Sequence, residues 1–295
     1  MGIEISKVTK RFGSTCALQA VDLELKEQGL YGLLGNNGAG KTTFFNVITN
    51  RLYPDSGSVR VDGAEAADRD DVLGKIYMMG EENYYPEDMK VRKAFEVTGL
   101  FYPDFNKARA LELAKQFGLD TKKKITKLST GYASIFRMIL ALCVNTPYLL
   151  LDEPVLGLDA RHRDMFYKAL IEKYAEEPCT IVISTHLIQE VAHIIEHAVV
   201  IRDGTIMKDA PTEALLDGCW NISGPRDKVA DFVRGKNAVK ESTMGGLSSV
   251  LVDGLPEEIQ VPDGLEKHKA TLQDYFIALM DKEELRDETS RSCSL

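Results

Sequence analysis

A glycine-rich segment near the N-terminus has residue types and spacing suited to binding phosphate. It fits the pattern G-x-x-x-x-G-K-[ST], and its residues are Gly35, Asn36, Asn37, Gly38, Ala39, Gly40, Lys41 and Thr42, followed by Thr43. Glycines let the backbone N–H groups of such a loop turn inward around a polyphosphate without interference from a Cβ atom. Lys41 can reach the β- and γ-phosphates, and the Thr42 hydroxyl can bind Mg²⁺. The pattern therefore predicts a nucleotide site.

The sequence on either side of this loop favours that interpretation over an ordinary glycine-rich turn. Residues 30–34 form an apolar run suited to a buried parallel strand, and the periodicity after the loop predicts a helix over 41–52. The N-terminus of that helix carries a partial positive charge that faces the same anion.

Two carboxylates follow a second apolar strand. Residues 148–151 are apolar, and Asp152 and Glu153 come directly after them. Ligands of open α/β sheets bind at the carboxyl ends of the strands. Asp152 is suited to hold the Mg²⁺ shell and Glu153 to polarise an attacking water. Acids that simply begin a solvated loop are the alternative, and the phosphate loop makes phosphoryl transfer the better interpretation.

A hydroxyl and a glycine stand before the helical run at 133–144. Ser129, Thr130 and Gly131 at a helix start offer a hydroxyl and free N–H groups to a phosphate. Taken alone, this segment is more typical of an ordinary helix N-cap.

The order of these motifs resembles the ATP-binding subunit of an ABC transporter. Residues 128–132 resemble the family's signature, usually Leu-Ser-Gly-Gly-Gln, and residues 151–154 resemble its second nucleotide motif. Asp159 corresponds to the D-loop and His186 to the switch histidine. Phe12 stands where the family places an aromatic ring that stacks on adenine. The resemblance covers about residues 3–215.

The resemblance implies a mechanism that uses two ATP-binding subunits, either two copies of the chain or one copy and a paralogue. Each ATP would lie between the phosphate loop of one subunit and residues 129–131 of the other. Glu153 would act as general base or water polariser, with His186 on the γ-phosphate. A core histidine with no such role is the alternative for His186.

Two departures from the family pattern concern the nucleotide. Thr130 and Tyr132 occupy signature positions that usually hold Gly and Gln. The family's Q-loop glutamine is also missing, and counting from the flanking segments places either Glu81 or Gly80 there. We favour Glu81, which can act at the catalytic site and ligate Mg²⁺.

Composition limits the partners and the location of the chain. The 36 Lys and Arg stand against 45 Asp and Glu, a net charge of −9, which argues against nucleic acid as the main partner. No uncharged apolar run approaches the roughly 20 residues of a membrane span. The five scattered cysteines indicate neither a disulfide framework nor a zinc site. We expect a cytoplasmic protein that is peripheral on the cell membrane through a permease.

The alternation of strand and helix patterns predicts an α/β fold with a P-loop NTPase core and a parallel sheet. An antiparallel β subdomain is predicted at the N-terminus, with a helical insert at about 81–144. We predict an ATP-binding domain over 1–216, a small α+β domain over 217–286 and a disordered tail over 287–295. Aromatic residues over 77–105 serve either the core or, as the resemblance implies, a groove that receives a permease helix.

The resulting hypothesis is an ATP-hydrolysing subunit that powers a separately encoded transmembrane permease. By resemblance, export of a drug, peptide or lipid-like compound is favoured over import. One alternative is a regulatory module with little or no hydrolysis, favoured by Thr130, Tyr132 and the missing glutamine. The other is a soluble ABC ATPase unconnected with transport, which the single cassette and negative charge argue against.

Overall fold

The computed structural model describes residues 1–86 and 88–281. The strands, in chain order, are β1 (Gly2–Phe12), β2 (Thr15–Lys26), β3 (Gly29–Leu34), β4 (Ser56–Val61), β5 (Ala64–Glu65), β6 (Ile76–Met79), β7 (Tyr148–Asp152), β8 (Thr180–Thr185), β9 (His197–Arg202), β10 (Thr205–Pro211), β11 (Trp220–Pro225), β12 (Asn237–Met244), β13 (Leu247–Asp253) and β14 (Glu266–Lys269).

The helices are α1 (Lys41–Ile48), α2 (Asp70–Leu73), α3 (Val91–Phe101), α4 (Lys107–Gln116), α5 (Thr130–Cys143), α6 (Ala160–Glu176), α7 (Ile188–Val191), α8 (Thr212–Leu216), α9 (Arg226–Val233) and α10 (272–281), with one 3₁₀ turn at Ile125–Lys127. Helix α1 ends before the predicted residue 52, because Asn50 takes a positive φ of 54° that a helix cannot continue through. No described helix combines the length and apolar character needed to cross a membrane.

The chain divides into two compact units. The first comprises Met1–His186 and Glu196–Asp209, and the second comprises Leu187–Ile195 together with the chain from Ala210 onward. The sequence places the boundary between 216 and 217, and those domain limits stay predictions. The proposed tail, 287–295, lies outside the described residues.

The first unit is built on a six-stranded sheet in the order β10-β9-β3-β8-β7-β6. Strand β3 pairs in parallel with β8 and β9, and β7 pairs in parallel with β8 and β6. Every residue of β3, β7 and β8 is buried, as expected where both faces of a parallel sheet are covered. Because the strands run the same way, the loops after β3, β6, β7 and β8 meet at one edge.

A second sheet of the same unit is antiparallel, in the order β2-β1-β4-β5. Its strands alternate buried and exposed residues, as in Val21, Leu23 and Leu25 of β2, because one face packs on the core and the other meets water. The helices α3, α4 and α5 lie between β6 and β7. There Phe95 stacks on Phe136 with ring centroids 6.0 Å apart. The predicted α/β fold class is confirmed.

The second unit contains a four-stranded antiparallel sheet in the order β12-β13-β11-β14. Its core consists of Ile222, Val229, Val250, Val252, Leu255 and Leu265. Helix α9 supplies Val229 to this core. Strand β14 was not anticipated, because Glu266, Lys267, His268 and Lys269 are polar and carry no apolar alternation.

A partly buried carboxylate joins the two sheets of the first unit. Asp62 accepts hydrogen bonds from Lys75 Nζ at 2.6 Å, from the Tyr148 hydroxyl at 2.5 Å and from the Gly2 N–H at 3.2 Å. Burial alone would raise the pKa of the Asp62 carboxyl, but these three hydrogen bonds outweigh it and lower the pKa below its ordinary 3.8. The charged form of Asp62 is therefore favoured by folding.

We expect Asp62→Asn to lower the free energy of unfolding by about 1–3 kcal/mol at pH 7, the usual contribution of hydrogen bonds to a charged group. A carboxyl whose pKa is depressed by folding stabilises the protein above its unfolded pKa and loses this effect as pH falls through the folded pKa. The difference between variant and parent should therefore shrink as pH falls from 5 through about 4 and below. Urea denaturation at each pH measures it.

Asp71→Asn is the matched control, since Asp71 forms an exposed ion pair with Arg69, and such pairs contribute little. A difference at Asp62 that stays constant across this pH range would contradict the assignment.

Candidate functional site

The phosphate loop connects the end of β3 to the start of α1, and two of its glycines are sterically required. Gly40 caps α1 with φ 108°, and a Cβ there would lie 2.6 Å from the Ala17 carbonyl oxygen. A Cβ on Gly35 would lie 2.5 Å from the Ile201 carbonyl oxygen. The backbone of β2 and β9 thus approaches the loop too closely for any side chain.

The ammonium group of Lys41 is buried at the centre of this loop, with 6% of the residue exposed. Its Nζ donates to the Gly35 carbonyl at 2.7 Å and to the Asn36 carbonyl at 3.2 Å. It also lies 3.3 Å from Glu153 Oε1. A positive charge is therefore fixed where the sequence predicts a polyphosphate.

Asp152 is held through both of its carboxylate oxygens. The Thr42 hydroxyl donates to Oδ2 at 2.7 Å, and the Ser184 hydroxyl donates to Oδ1. Asp152 ends β7 and Ser184 lies on the neighbouring β8, so the pairing of these strands brings them together. A hydroxyl and a carboxylate side by side are the hard oxygen donors that Mg²⁺ prefers.

Glu153, which lies beside Lys41, is also in contact with His186. His186 Nδ1 lies 3.0 Å from both carboxylate oxygens of Glu153. Glu153 has a positive φ of 45°, and its N–H donates to the Ser184 carbonyl at 3.0 Å. A non-glycine residue in this left-handed conformation is held by its surroundings. The backbone therefore fixes the direction of the Glu153 side chain.

One cavity of about 780 Å³ is lined by Lys41, Thr42, Asp152, Glu153 and His186. Of the predicted site residues, the cavity is lined by Asn37, Gly38, Gly40, Lys41, Thr42, Thr43, Glu81, Asp152, Glu153 and His186. Gly80 also lines it, so the geometry does not choose between Gly80 and Glu81 at the Q-loop position. A cavity of this size and composition can take a nucleotide.

Several lining residues were not anticipated from the sequence. They are Thr15, Cys16, Ala17, Asn46, Arg51, Met78, Glu82, Tyr84, Leu156, Asp203 and Gly204. No local pattern marks them, because the fold brings them in from other strands and loops. Ser184 does not line the cavity but holds Asp152, and its position before His186 at the end of an apolar run was a usable signal.

The other predicted site residues lie outside the cavity lining. Ser129 caps α5 by accepting from the Tyr132 N–H at 3.4 Å, and Asp159 caps α6 by accepting from the His162 N–H at 2.9 Å. A Cβ built on Gly131 would lie 3.4 Å from the Gly157 carbonyl oxygen. The start of α5 and the loop before α6 are therefore neighbours on the surface.

Phe12 is 48% exposed and does not line the cavity. It pairs across the β1–β2 hairpin with Thr15, which does line it. The ammonium of Lys10 lies 5.7 Å from the Phe12 ring centroid. The adenine-stacking role of Phe12 stays a prediction.

Fold and site together define a phosphate-loop ATPase. Residues 18–156 match the family model described as ABC transporter. The chain is 30% identical over 203 residues to AlbC of Bacillus subtilis (strain 168), whose name places it among ABC transporter ATP-binding proteins, and the match covers 66% of the chain and 84% of AlbC. The chain belongs to the ABC transporter ATP-binding family.

Two further similarities agree with this membership. The ABC transporter ATP-binding protein YtrB of the same Bacillus subtilis strain is 27% identical over 257 residues, 87% of the chain and 88% of YtrB. The dimeric structure of the ATP-binding cassette MJ0796 bound to ADP and Pi has a TM-score of 0.63 at 26% identity, covering 71% of the chain and 98% of that structure. The chain is an ATP hydrolase of the ABC type, a class that dimerises and works with transmembrane permeases.

The similar proteins include both directions of transport. The ribose import ATP-binding protein RbsA of Streptococcus agalactiae serotype III (strain NEM316) is 27% identical over 224 residues; the match spans 72% of the chain and 45% of RbsA. The Nod factor export ATP-binding protein I of Burkholderia lata is 27% identical over 302 residues, 95% of the chain and 97% of that protein. Family membership by itself leaves the direction open.

We expect Gly40→Ala to lower the melting temperature of the nucleotide-free protein much more than Gly38→Ala. Both glycines have positive φ, which costs an alanine about 1–2 kcal/mol. Only at Gly40 does the new methyl also meet a backbone carbonyl, since the Gly38 Cβ position has no atom within 4 Å. Thermal unfolding without nucleotide measures the difference, and equal losses in the two variants would contradict the described packing.

Proposed function

We propose that two copies of the chain, or one copy and a paralogue, close around two ATP molecules and drive a separately encoded permease. The observation that carries this proposal is the cluster of Lys41, Glu153 and His186 in the lining of the cavity. It contains a cation for the phosphates, a carboxylate for the water and an imidazole beside that carboxylate. These are the groups that phosphoryl transfer to water requires.

In this proposal Mg²⁺ is held by the Thr42 hydroxyl and by Asp152, either directly or through water. The described residues contain no group of three or more His, Cys, Asp and Glu side chains arranged around a metal. Mg²⁺ is commonly bound by one or two protein groups and completed by substrate phosphates and water. The 2.7 Å contact between Thr42 and Asp152 fits that kind of site.

Glu153 acts as the general base or water polariser, and His186 orients Glu153 and contacts the γ-phosphate. Glu81 takes the place of the Q-loop glutamine and would supply a carboxylate ligand to Mg²⁺. The phosphate loop, with Ala39 inside it, surrounds the phosphates, and Phe12 stacks on adenine. Residues 129–131 and Asp159 serve the ATP of the other subunit, which is why their exposure outside the cavity supports the proposal.

Export is the direction that we propose, of a drug, peptide or lipid-like compound. The export relative is matched over 97% of its length, whereas the import relative is matched over 45%. The export match also extends over 95% of this chain, which takes in the second unit. A cytoplasmic position, peripheral on the membrane through the permease, follows from this role.

We expect Glu153→Gln to bind ATP normally and to lose at least about 100-fold in turnover, the lower range of general-base contributions. The amide keeps the size of the side chain but cannot accept a proton. ATPase assays and nucleotide binding on the full chain measure the two effects. Glu65→Gln is the control, since Glu65 is exposed on β5 away from the cavity. Turnover at the parent rate in Glu153→Gln would refute the role of Glu153.

The permease contact is proposed at the end of α3, where Leu100 and Phe101 are 80% and 77% exposed. Large apolar side chains with this exposure are typical anchors of protein interfaces. We expect the Glu153→Gln chain, purified from native membranes with ATP, to bring down a multi-spanning protein in near-equal amount. Adding Leu100→Gln and Phe101→Gln should reduce that recovery about tenfold or more, as loss of an interface anchor does.

Met244→Gln is the control, because Met244 is 82% exposed but lies on β12 of the second unit. Recovery of soluble partners alone would count against the transporter role. Unchanged recovery in the double variant would count only against this contact surface.

A further inference from the structure

The loop after β6 is held from two sides. Gly80, Glu81, Glu82 and Tyr84 of this loop line the cavity. On one side, the Arg51 guanidinium donates to the Tyr84 hydroxyl at 2.7 Å and lies over its ring at 4.7 Å. Arg51 follows α1, so this contact connects the loop to the phosphate-binding helix.

On the other side, Arg137 of α5 connects the same loop to the loop after β7. Its Nη1 donates to the Glu81 carbonyl at 2.8 Å, and its Nη2 donates to the Ser134 hydroxyl at 3.1 Å. Ser134 in turn donates to the Leu156 carbonyl at 3.3 Å. Glu81 and Leu156 both line the cavity, so one guanidinium and one hydroxyl span between two of its walls.

The guanidinium of Arg137 lies in surroundings that are less favourable for a positive charge than water is. Burial lowers the pKa of the guanidinium, against the raising effect of the Glu81 charge. Its Nε is buried and has no hydrogen-bond partner among residues 1–86 and 88–281. Ser134 is 3% exposed. Arg137 is half-buried. Because removing a charge from water is costly unless hydrogen bonds compensate, its two hydrogen bonds offset part of that cost.

The same helix carries the signature residues. Helix α5 begins at Thr130, and Arg137 lies about two turns further along, at 3.6 residues per turn. A packed helix moves as a unit over such a short distance. We therefore expect a shift of the Glu81 loop toward a bound nucleotide to displace Ser129, Thr130 and Gly131, which in the proposed dimer face the second ATP.

We propose that Arg137 and Ser134 form a positioning brace that couples the two ATP sites of the dimer. The brace fixes the Glu81 loop against the Glu153–Leu158 loop, and it passes a change at one cavity to the signature residues that serve the other. Neither side chain lines the cavity, so both are positioning residues. The inference rests on the proposed roles of Glu81 and of residues 129–131.

The test compares Arg137→Met, Arg137→Lys and Ser134→Ala with the parent as purified full-length chains. Steady-state ATPase rates over a range of ATP give the maximal rate and the Hill coefficient, which cannot exceed the number of coupled sites. Melting temperatures report folding. Arg92→Met is the matched control, an exposed arginine of α3 outside the cavity.

We expect a parent Hill coefficient above 1 that falls to about 1 in Arg137→Met and in Ser134→Ala, because coupling between the sites is lost. The maximal rate should fall about tenfold, the rate equivalent of one hydrogen bond to a charged group. Arg137→Lys should keep part of the cooperativity. The lysine ammonium can reach either the Glu81 carbonyl or the Ser134 hydroxyl, but it lacks the planar guanidinium that binds both at once. A variant that combines Arg137→Met with Ser134→Ala should show no further loss than either single change, because both changes break the same connection.

Lower rates with the Hill coefficient of the parent would assign Arg137 a purely structural role and overturn the inference. A non-cooperative parent would overturn it as well. If Arg137→Met does not fold, Arg137→Lys and Ser134→Ala decide by the same readout. Failure of the underlying function is distinguishable, because it appears as full turnover in Glu153→Gln whatever the brace variants do.

Discussion

The buried ammonium of Lys41 is the charge on which the site depends. Asp152 and Glu153 are adjacent carboxylates at the end of a fully buried strand, and two such charges repel at short range in a medium of low dielectric. Lys41 lies 3.3 Å from Glu153, and hydroxyls of Thr42 and Ser184 compensate Asp152. The lysine in turn needs the Gly35 and Asn36 carbonyls. Cation, acids and glycine loop therefore require one another.

This mutual requirement explains why the parallel sheet is the appropriate scaffold. Strands β3, β7 and β8 are neighbours and run in the same direction, so Lys41, Glu153 and His186 follow their carboxyl ends. Changing the register of one strand would move its loop relative to the others. Fully buried strands specify their register through packing on both faces, and the antiparallel sheet adds the carbonyl of Ala17, which limits residue 40 to glycine. The positions of the site residues are therefore set by largely apolar strands. Only Asp152 and Ser184 of the site lie on these strands, and the other polar groups follow them.

How far the sequence predicts this arrangement depends on the range of the interactions. The phosphate loop could be predicted because its function is encoded in adjacent residues, and buried strands could be predicted from apolar runs. The contact between Ser184 and Asp152, or between Arg137 and Glu81, depends on residues that are distant in the chain. No periodicity records such pairs. Strand β14 was missed for a different reason. It is a short polar strand at the edge of its sheet, and such a strand has no apolar alternation to detect.

Glu81, which we propose at the position of the family's Q-loop glutamine, lies on a loop that these long-range contacts hold in place. A glutamine is uncharged, whereas Glu81 brings a negative charge to a cavity that already holds Asp152 and Glu153. Such a charge tends to repel the loop from the carboxylates, and a loop held only by its own backbone would move away from the nucleotide. Here the guanidinium of Arg137 binds the backbone of Glu81, and that of Arg51 binds Tyr84 three residues later. These two contacts hold the loop that carries Glu81 beside the cavity, and the positive charge of Arg137 interacts favourably with the Glu81 carboxylate.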